Sequence, residues 1–220
     1  NAMDPTTGEN YYMQYSQAGL KRYNPDSNSW ASMQSLPASV QITRVVEFFP
    51  ELGGLIVGDF YAGTWLWKKS NNSWSQLTAG NLTSGPSPNT NLMASYNNYG
   101  AYNPTSKVMI FGGGNGSNVT FKVDATGKVT RVADSPVSFG ISTGIVLPNN
   151  KNGNFLGFHH NGNIYQYNVT SNSWQQVGSG SPLAGLNLNN GGHRIGGAIL
   201  EYGLYIFMTA TPARVWLYKF

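Results

Sequence analysis

The chain repeats a phrase. Tyr23-Asn24-Pro25-Asp26-Ser27-Asn28-Ser29-Trp30 returns as Trp67-Lys68-Lys69-Ser70-Asn71-Asn72-Ser73-Trp74, and again as Tyr167-Asn168-Val169-Thr170-Ser171-Asn172-Ser173-Trp174. Each copy sets an aromatic residue seven positions ahead of a Trp, with turn formers between. Trp30 and Trp74 lie 44 residues apart. The same step back from Trp174 falls on Thr130, the end of a degenerate copy that starts at Val123. A period in the forties means one small supersecondary unit used again and again.

Each unit reads as four short strands. The second runs through Thr43–Phe49, 53–58, 64–67 and 73–77; the third through 99–102, 108–111, 119–123 and 129–132; the fourth through 143–147, 155–158, 164–167 and 173–177. The connections hold Asn-Pro-Asp, Asn-Pro-Thr and Asn-Gly-Asn, in which Asn and Gly supply positive φ and Pro pre-sets the first turn residue. Short strands at regular spacing specify an all-β architecture. The first unit enters at residues 1–5, at best the tail of a first strand, and continues through 11–15, 20–23 and 30–33. The fifth has 197–201, 204–208 and 215–218 and no Trp-bearing fourth strand. Four of the five third strands carry a large aromatic two positions before the terminal one; Leu20-Lys21-Arg22-Tyr23 is the exception.

Composition agrees. Charged residues are 10% and aromatics 13% of the 220 residues, which suits strands and turns rather than surface helices or disorder. The net charge of +4 is scattered, with basic pairs only at Lys21-Arg22 and Lys68-Lys69, so no nucleic-acid partner is expected. No apolar run approaches the ~20 residues of a membrane span. Cys is absent, which removes disulfides, Cys-ligated zinc and Cys nucleophiles. Asn1-Ala2-Met3 has the look of a cloning scar and is set aside from functional reasoning.

Four-stranded antiparallel repeats with a Tyr-Asn turn ahead of a Trp, and glycine pairs such as Gly53-Gly54 and Gly112-Gly113, resemble kelch repeats of a β-propeller. The likeness covers nearly the whole chain. Gly53-Gly54 departs from the pattern by opening its strand where the family's pair closes it, and the fourth and fifth repeats lack the pair. The resemblance implies one propeller domain over 1–220, with blades at about 1–36, 37–80, 95–134, 140–180 and 192–220, visible as five and compatible with a ring of six or seven. Galactose-oxidase-type propellers of this kind use a Tyr–Cys cofactor, which a chain without Cys lacks; no cofactor is expected.

In such a blade, loops entering the first strand and loops between the second and third strands share one face. Here they bring Arg44, Asp59, Tyr61, Asn115, His159, His160, His193 and Arg194 to a candidate ligand-binding rim, since loops on a rigid scaffold carry recognition. The expected function is a non-enzymatic module binding a glycan or a protein. One alternative is an enzyme or metal site on that rim built from His159, His160, His193, Asp59 and Tyr61. Adjacent residues of a strand point to opposite faces, so His159 and His160 are not expected to share an ion. No Gly-x-Ser-x-Gly elbow occurs, and the nine acidic residues do not cluster. Another alternative is a purely structural blade array of a larger surface protein. Trp30, Trp74 and Trp174 are expected to be buried at one register of the outermost strands. Residues 78–98, longer than the repeat allows, are expected to form a functional loop. Five Asn-x-Ser/Thr sequons begin at Asn71, Asn81, Asn115, Asn118 and Asn168. Composition alone yields about four, so they are compatible with an extracellular or cell-surface glycoprotein without being evidence for one.

Overall fold

A computed structural model of the chain describes residues 1–13, 19–37, 43–59, 63–78, 98–140, 142–184, 194–210 and 213–219, with the side chains at 43, 44, 78, 194, 195, 209 and 210 left out. The protein is an all-β, five-bladed β-propeller. Blade 1 is β1 (Ala2–Met3), β2 (Asn10–Met13), β3 (Leu20–Asn24) and β4 (Ser29–Ser32). Blade 2 is β5 (Thr43–Phe49), β6 (Gly54–Asp59), β7 (Gly63–Lys68) and β8 (Ser73–Thr78). Blade 3 is β9 (Tyr99–Asn103), β10 (Val108–Gly112), β11 (Thr120–Val123) and β12 (Val129–Arg131). Blade 4 is β13 (Gly144–Asn149), β14 (Asn154–His159), β15 (Asn163–Asn168) and β16 (Ser173–Ser179). Blade 5 is β17 (Arg194–Ile199), β18 (Leu204–Ala210) and β19 (Ala213–Lys219). In each sheet the strands lie in chain order, every registered pair antiparallel. Ala2–Met3, set aside on sequence grounds, pairs with Tyr11 and Asn10 as the first strand of blade 1. The long segment expected as a functional loop lies outside the described residues, apart from its two ends.

The chain forms two compact units, one of Asn1–Leu92 with Lys122–Arg131, the other of Met93–Phe121 with Val132–Phe220. In the first, Tyr11 and Leu20 pack with Phe48, Leu55 and Trp67. In the second, one cluster gathers Tyr99, Ile110, Phe139, Phe155 and Tyr167, and another Leu156, Phe158, Ile164, Tyr205 and Phe207.

The repeated phrase has a physical cause. In the first and last copies the Asn after the leading aromatic closes an Asx turn, where the 67–74 copy has Lys68: Asn24 Oδ1 accepts the N–H groups of Asp26 and Ser27 at 2.9 and 3.1 Å, and Asn168 Oδ1 those of Thr170 and Ser171 at 2.9 and 3.0 Å. The Asn before Ser-Trp stands in the left-handed region, at φ 47° for Asn28, 50° for Asn72 and 49° for Asn172. Its side-chain oxygen accepts the polar hydrogen of the leading aromatic: Tyr23 Oη–H at 2.8 Å, Trp67 Nε1–H at 3.0 Å, Tyr167 Oη–H at 2.9 Å. Tyr and Trp serve alike because each joins a ring to a donor. In the degenerate copy Gly127 takes the positive φ and Asp124 the Asx role.

The three Trp residues share one register, as Tyr23↔Trp30, Trp67↔Trp74 and Tyr167↔Trp174. Their burial corrects the expectation. Trp74 and Trp174 are half-buried, with Nε1–H donating to the backbone carbonyls of Gln34 at 3.5 Å and Ala133 at 3.1 Å, on the segments that leave blades 1 and 3. Trp30 has no such cover among the described residues and is 58% exposed. Its blade explains why: Asn10, Tyr12 and Lys21 stand where blade 2 has Leu55, Val57 and Trp65. The face that blade 2 buries is a wet one in blade 1.

An ion-pair cluster ties the β1–β2 turn to the β7–β8 turn. Lys69 Nζ lies 2.8 Å from Asp4 Oδ2 and 2.6 Å from Glu9 Oε2, and both carboxylates are buried. Burial by itself would raise both carboxyl pKa values. The Lys69 ammonium outweighs it, with Thr6 N–H on Asp4 and Tyr11 Oη–H on Glu9, and holds both below their ordinary values. A carboxylate depressed in the folded state stabilises above its unfolded pKa and loses that stabilisation as pH falls through the folded value. The melting temperature is therefore expected to fall as pH drops through and below the carboxylate range, with a shallower slope in the double variant Asp4→Asn/Glu9→Gln. An unchanged slope in that variant would remove the cluster from the acid response.

Candidate ligand-binding face

In the second unit, four connections meet at the same ends of the strands. They are the β10–β11 loop, the β12–β13 segment, the β14–β15 turn, and the chain leaving β16. Gly114 N–H donates to Phe139 O at 2.7 Å, and Ser138 Oγ to Gly114 O at 3.4 Å. Thr143 Oγ1 donates to Ser138 O at 2.5 Å, and His160 N–H to Thr143 O at 2.9 Å. Ser181 N–H donates to Gly162 O at 3.0 Å. Asn115 and the two histidines, far apart in sequence, thus sit on loops bonded to one shared connection.

Phe139 anchors that connection. It is fully buried, with Tyr99, His159, Tyr165 and Trp174 at ring-centroid distances of 6.2, 5.6, 5.9 and 5.5 Å. Gly157 makes the room: a Cβ there would fall 2.3 Å from the Phe139 ring.

The candidate residues divide. His159 closes β14 and is buried; its Nδ1 accepts the Asn161 N–H at 3.2 Å, and the Ser138 carbonyl also bonds the ring. Burial disfavours its imidazolium and holds its pKa below the ordinary histidine value. His159 therefore supports the loops from within. His160 is half-buried, in the turn. The two rings are 4.6 Å apart at their centroids, against the opposite-faces expectation, because the strand ends at His159 and the turn redirects His160. Asn115 is exposed, at φ 23°. Asp59, in the first unit, is the last residue of β6 and is buried. Arg44 and Arg194 stand in β5 and β17 by their backbones, and their side chains lie outside the described set. Tyr61 and His193 lie outside the described residues altogether.

An amide group was missed in the sequence. Asn161 Nδ2 and Asn163 Nδ2 each donate to Tyr165 Oη at 3.2 Å, and Gln176 Nε2 donates to Asn163 Oδ1 at 3.2 Å. The signal was present as the Asn161-Gly162-Asn163 turn preceding an inward Tyr165. Among the described residues no group of three or more His, Cys, Asp or Glu side chains is placed to hold a metal. At the other ends of the strands, a cavity of about 20 Å³ is lined by residues including Asn150, Lys151 and Tyr205; it has room for a water rather than a ligand.

No protein-family model and no curated protein matches this chain. Among solved structures, it is similar to an auxiliary nutrient binding protein from Bacteroides thetaiotaomicron. The TM-score is 0.57 at 11% identity, over 98% of this chain. The likeness is one of fold. This chain spans 55% of that protein's length.

Proposed function

We propose that the chain is a non-enzymatic module that binds a glycan through the loop face of its second unit. One observation carries the reading: His160, Asn115, Asn161 and Asn163 stand on loops that main-chain hydrogen bonds and the Phe139 anchor hold together. Neutral amides and an imidazole both donate and accept, which matches sugar hydroxyls, and a preordered face limits the entropy lost on binding. The structural relative's description as a nutrient binding protein supports binding as the activity. The kelch subtype belongs to the same reading, supported by the Tyr/Trp turn and by Gly112-Gly113 closing the second strand of blade 3. So does an extracellular or cell-surface setting, supported by the uncharged polar surface.

A glycan array on the purified chain should yield a ligand. In calorimetry, His160→Ala and Asn115→Gly, glycine being the residue that the positive φ at 115 accepts, should each weaken binding of that ligand by about tenfold, the worth of one net hydrogen bond. Undiminished affinity in the double variant would sink the assignment of this face. A protein partner captured in place of any glycan would move the reading to the other ligand class.

A further inference from the structure

Two loops of the second unit are joined through one imidazole. His159 is the last residue of β14 and is buried, with Gly144 of β13 opposite it. Its Nδ1 accepts the Asn161 N–H at 3.2 Å, so that nitrogen carries a lone pair and the ring proton belongs to Nε2. The other bond of the ring, to the Ser138 carbonyl, is then an Nε2–H donation across to the β12–β13 segment. Only the neutral Nε2–H form makes both bonds. A second proton would go to Nδ1 and set two donors, Nδ1–H and the Asn161 N–H, against each other.

The surroundings offer an imidazolium no partner. Phe139 stands perpendicular to the ring at 5.6 Å between centroids, and Tyr165 lies at 6.5 Å. His160, at 4.6 Å, is the other titratable neighbour, and its charge would repel a second one at 159. β13 and the β12–β13 segment present Gly144, Ser138, Phe139 and Thr143. Among the described residues no carboxylate, lysine or arginine bears on the ring. The turn that the ring holds is short: Gly162 N–H donates to the His159 carbonyl at 3.2 Å, and Asn163 N–H to Asn161 Oδ1 at 2.9 Å. Losing the Asn161 bond to the ring therefore loosens the whole turn from the segment beside it.

We propose that His159 is a proton-operated latch: neutral, it clips the β14–β15 turn to the β12–β13 segment, and protonated, it releases the turn. Release of ligand on acidification is the consequence for the loop face, and that consequence alone rests on the glycan-binding reading. Burial, reinforced by His160, holds the His159 pKa below the ordinary histidine value, so the latch opens on the acid side of it. A base held low in the folded state stabilises above its unfolded pKa and loses that contribution as pH falls through the folded one.

The test follows the isotopically labelled 220-residue chain by NMR from about pH 7.5 to about pH 5, the range in which histidine titrates. Imidazole nitrogen shifts should report the Nε2–H form of His159 at neutral pH. As His159 takes up its proton, exchange of the Asn161 amide, corrected for the intrinsic pH dependence of exchange, should accelerate about tenfold, as one net hydrogen bond is lost. His159→Gln, whose amide offers an acceptor and a donor without titrating, should abolish that step. His160→Gln should keep the step and move it to higher pH, because the neighbouring charge is gone. An Nδ1–H form at neutral pH, a His159 titration without the Asn161 step, or the same step in His159→Gln overturns the proposal. Should His159→Gln not fold, the wild-type spectra and His160→Gln decide alone. None of these readouts uses a ligand, so failure of the latch is told apart from failure of the glycan reading.

Discussion

Phe139→Ala is expected to cost about 3–5 kcal/mol, the usual loss for truncating a fully buried Phe. The side chain lies on a connection between strands, where substitutions are ordinarily mild, yet it fills the space among Tyr99, His159, Tyr165 and Trp174. Gly157 cannot close the void, having no side chain to move into it. Chemical denaturation with tryptophan fluorescence measures the loss, and Phe139→Leu should recover much of it. The variant should also weaken ligand binding, because the loops bearing Asn115 and His160 are bonded to the segment that Phe139 holds. A cost below about 1 kcal/mol, in the range of ordinary surface substitutions, would show that Phe139 is not the anchor.

Gly112→Ala is the other large effect. Gly112 ends β10 at φ 147°, a region L side chains rarely adopt, and a Cβ there would fall 2.1 Å from the Val119 backbone carbonyl. The obstacle is main chain, so it moves only if the β10–β11 hairpin does. About 3 kcal/mol is expected, at the upper end of overpacking costs, from strain and collision together. Gly116→Ala in the same loop, with open space around it, is the control for strain alone. Equal losses for the two would remove the collision from the explanation.

The fold was legible because its code is local. The repeated phrase combines an Asx turn, a left-handed Asn and an aromatic donor within eight residues, and short strands of period two flank it. Strand positions followed from it to within a few residues in all five blades. What escaped depends on neighbours. The common register of the Trp residues could be read in the sequence, but their cover could not, since it comes from the segment leaving the preceding blade. Lys21 held the readable clue, as the one third strand without an aromatic at that position belongs to the blade whose face is wet. Phe139 gave no periodic signal, being a lone aromatic in a connection. Its partners are spread from Tyr99 to Trp174, and only the odd glycine within Phe155-Leu156-Gly157-Phe158 marks the space it fills. The His pair was read as strand residues with opposed side chains, and the end of β14 at His159 changes that geometry.

The central claim is that ligand recognition occurs on the loops gathered around Phe139. Hydrogen–deuterium exchange with and without the glycan found on the array tests it most directly. Backbone amides bonded to a ligand, or ordered by one, exchange more slowly, and the loops start from the less protected end of the range. The account predicts added protection at residues 112–118, 138–143 and 159–163, and none at the β13–β14 turn on the other ends of the strands. Protection confined to the exposed face of Tyr12, Tyr23 and Trp30, with those three loops unchanged, would contradict it.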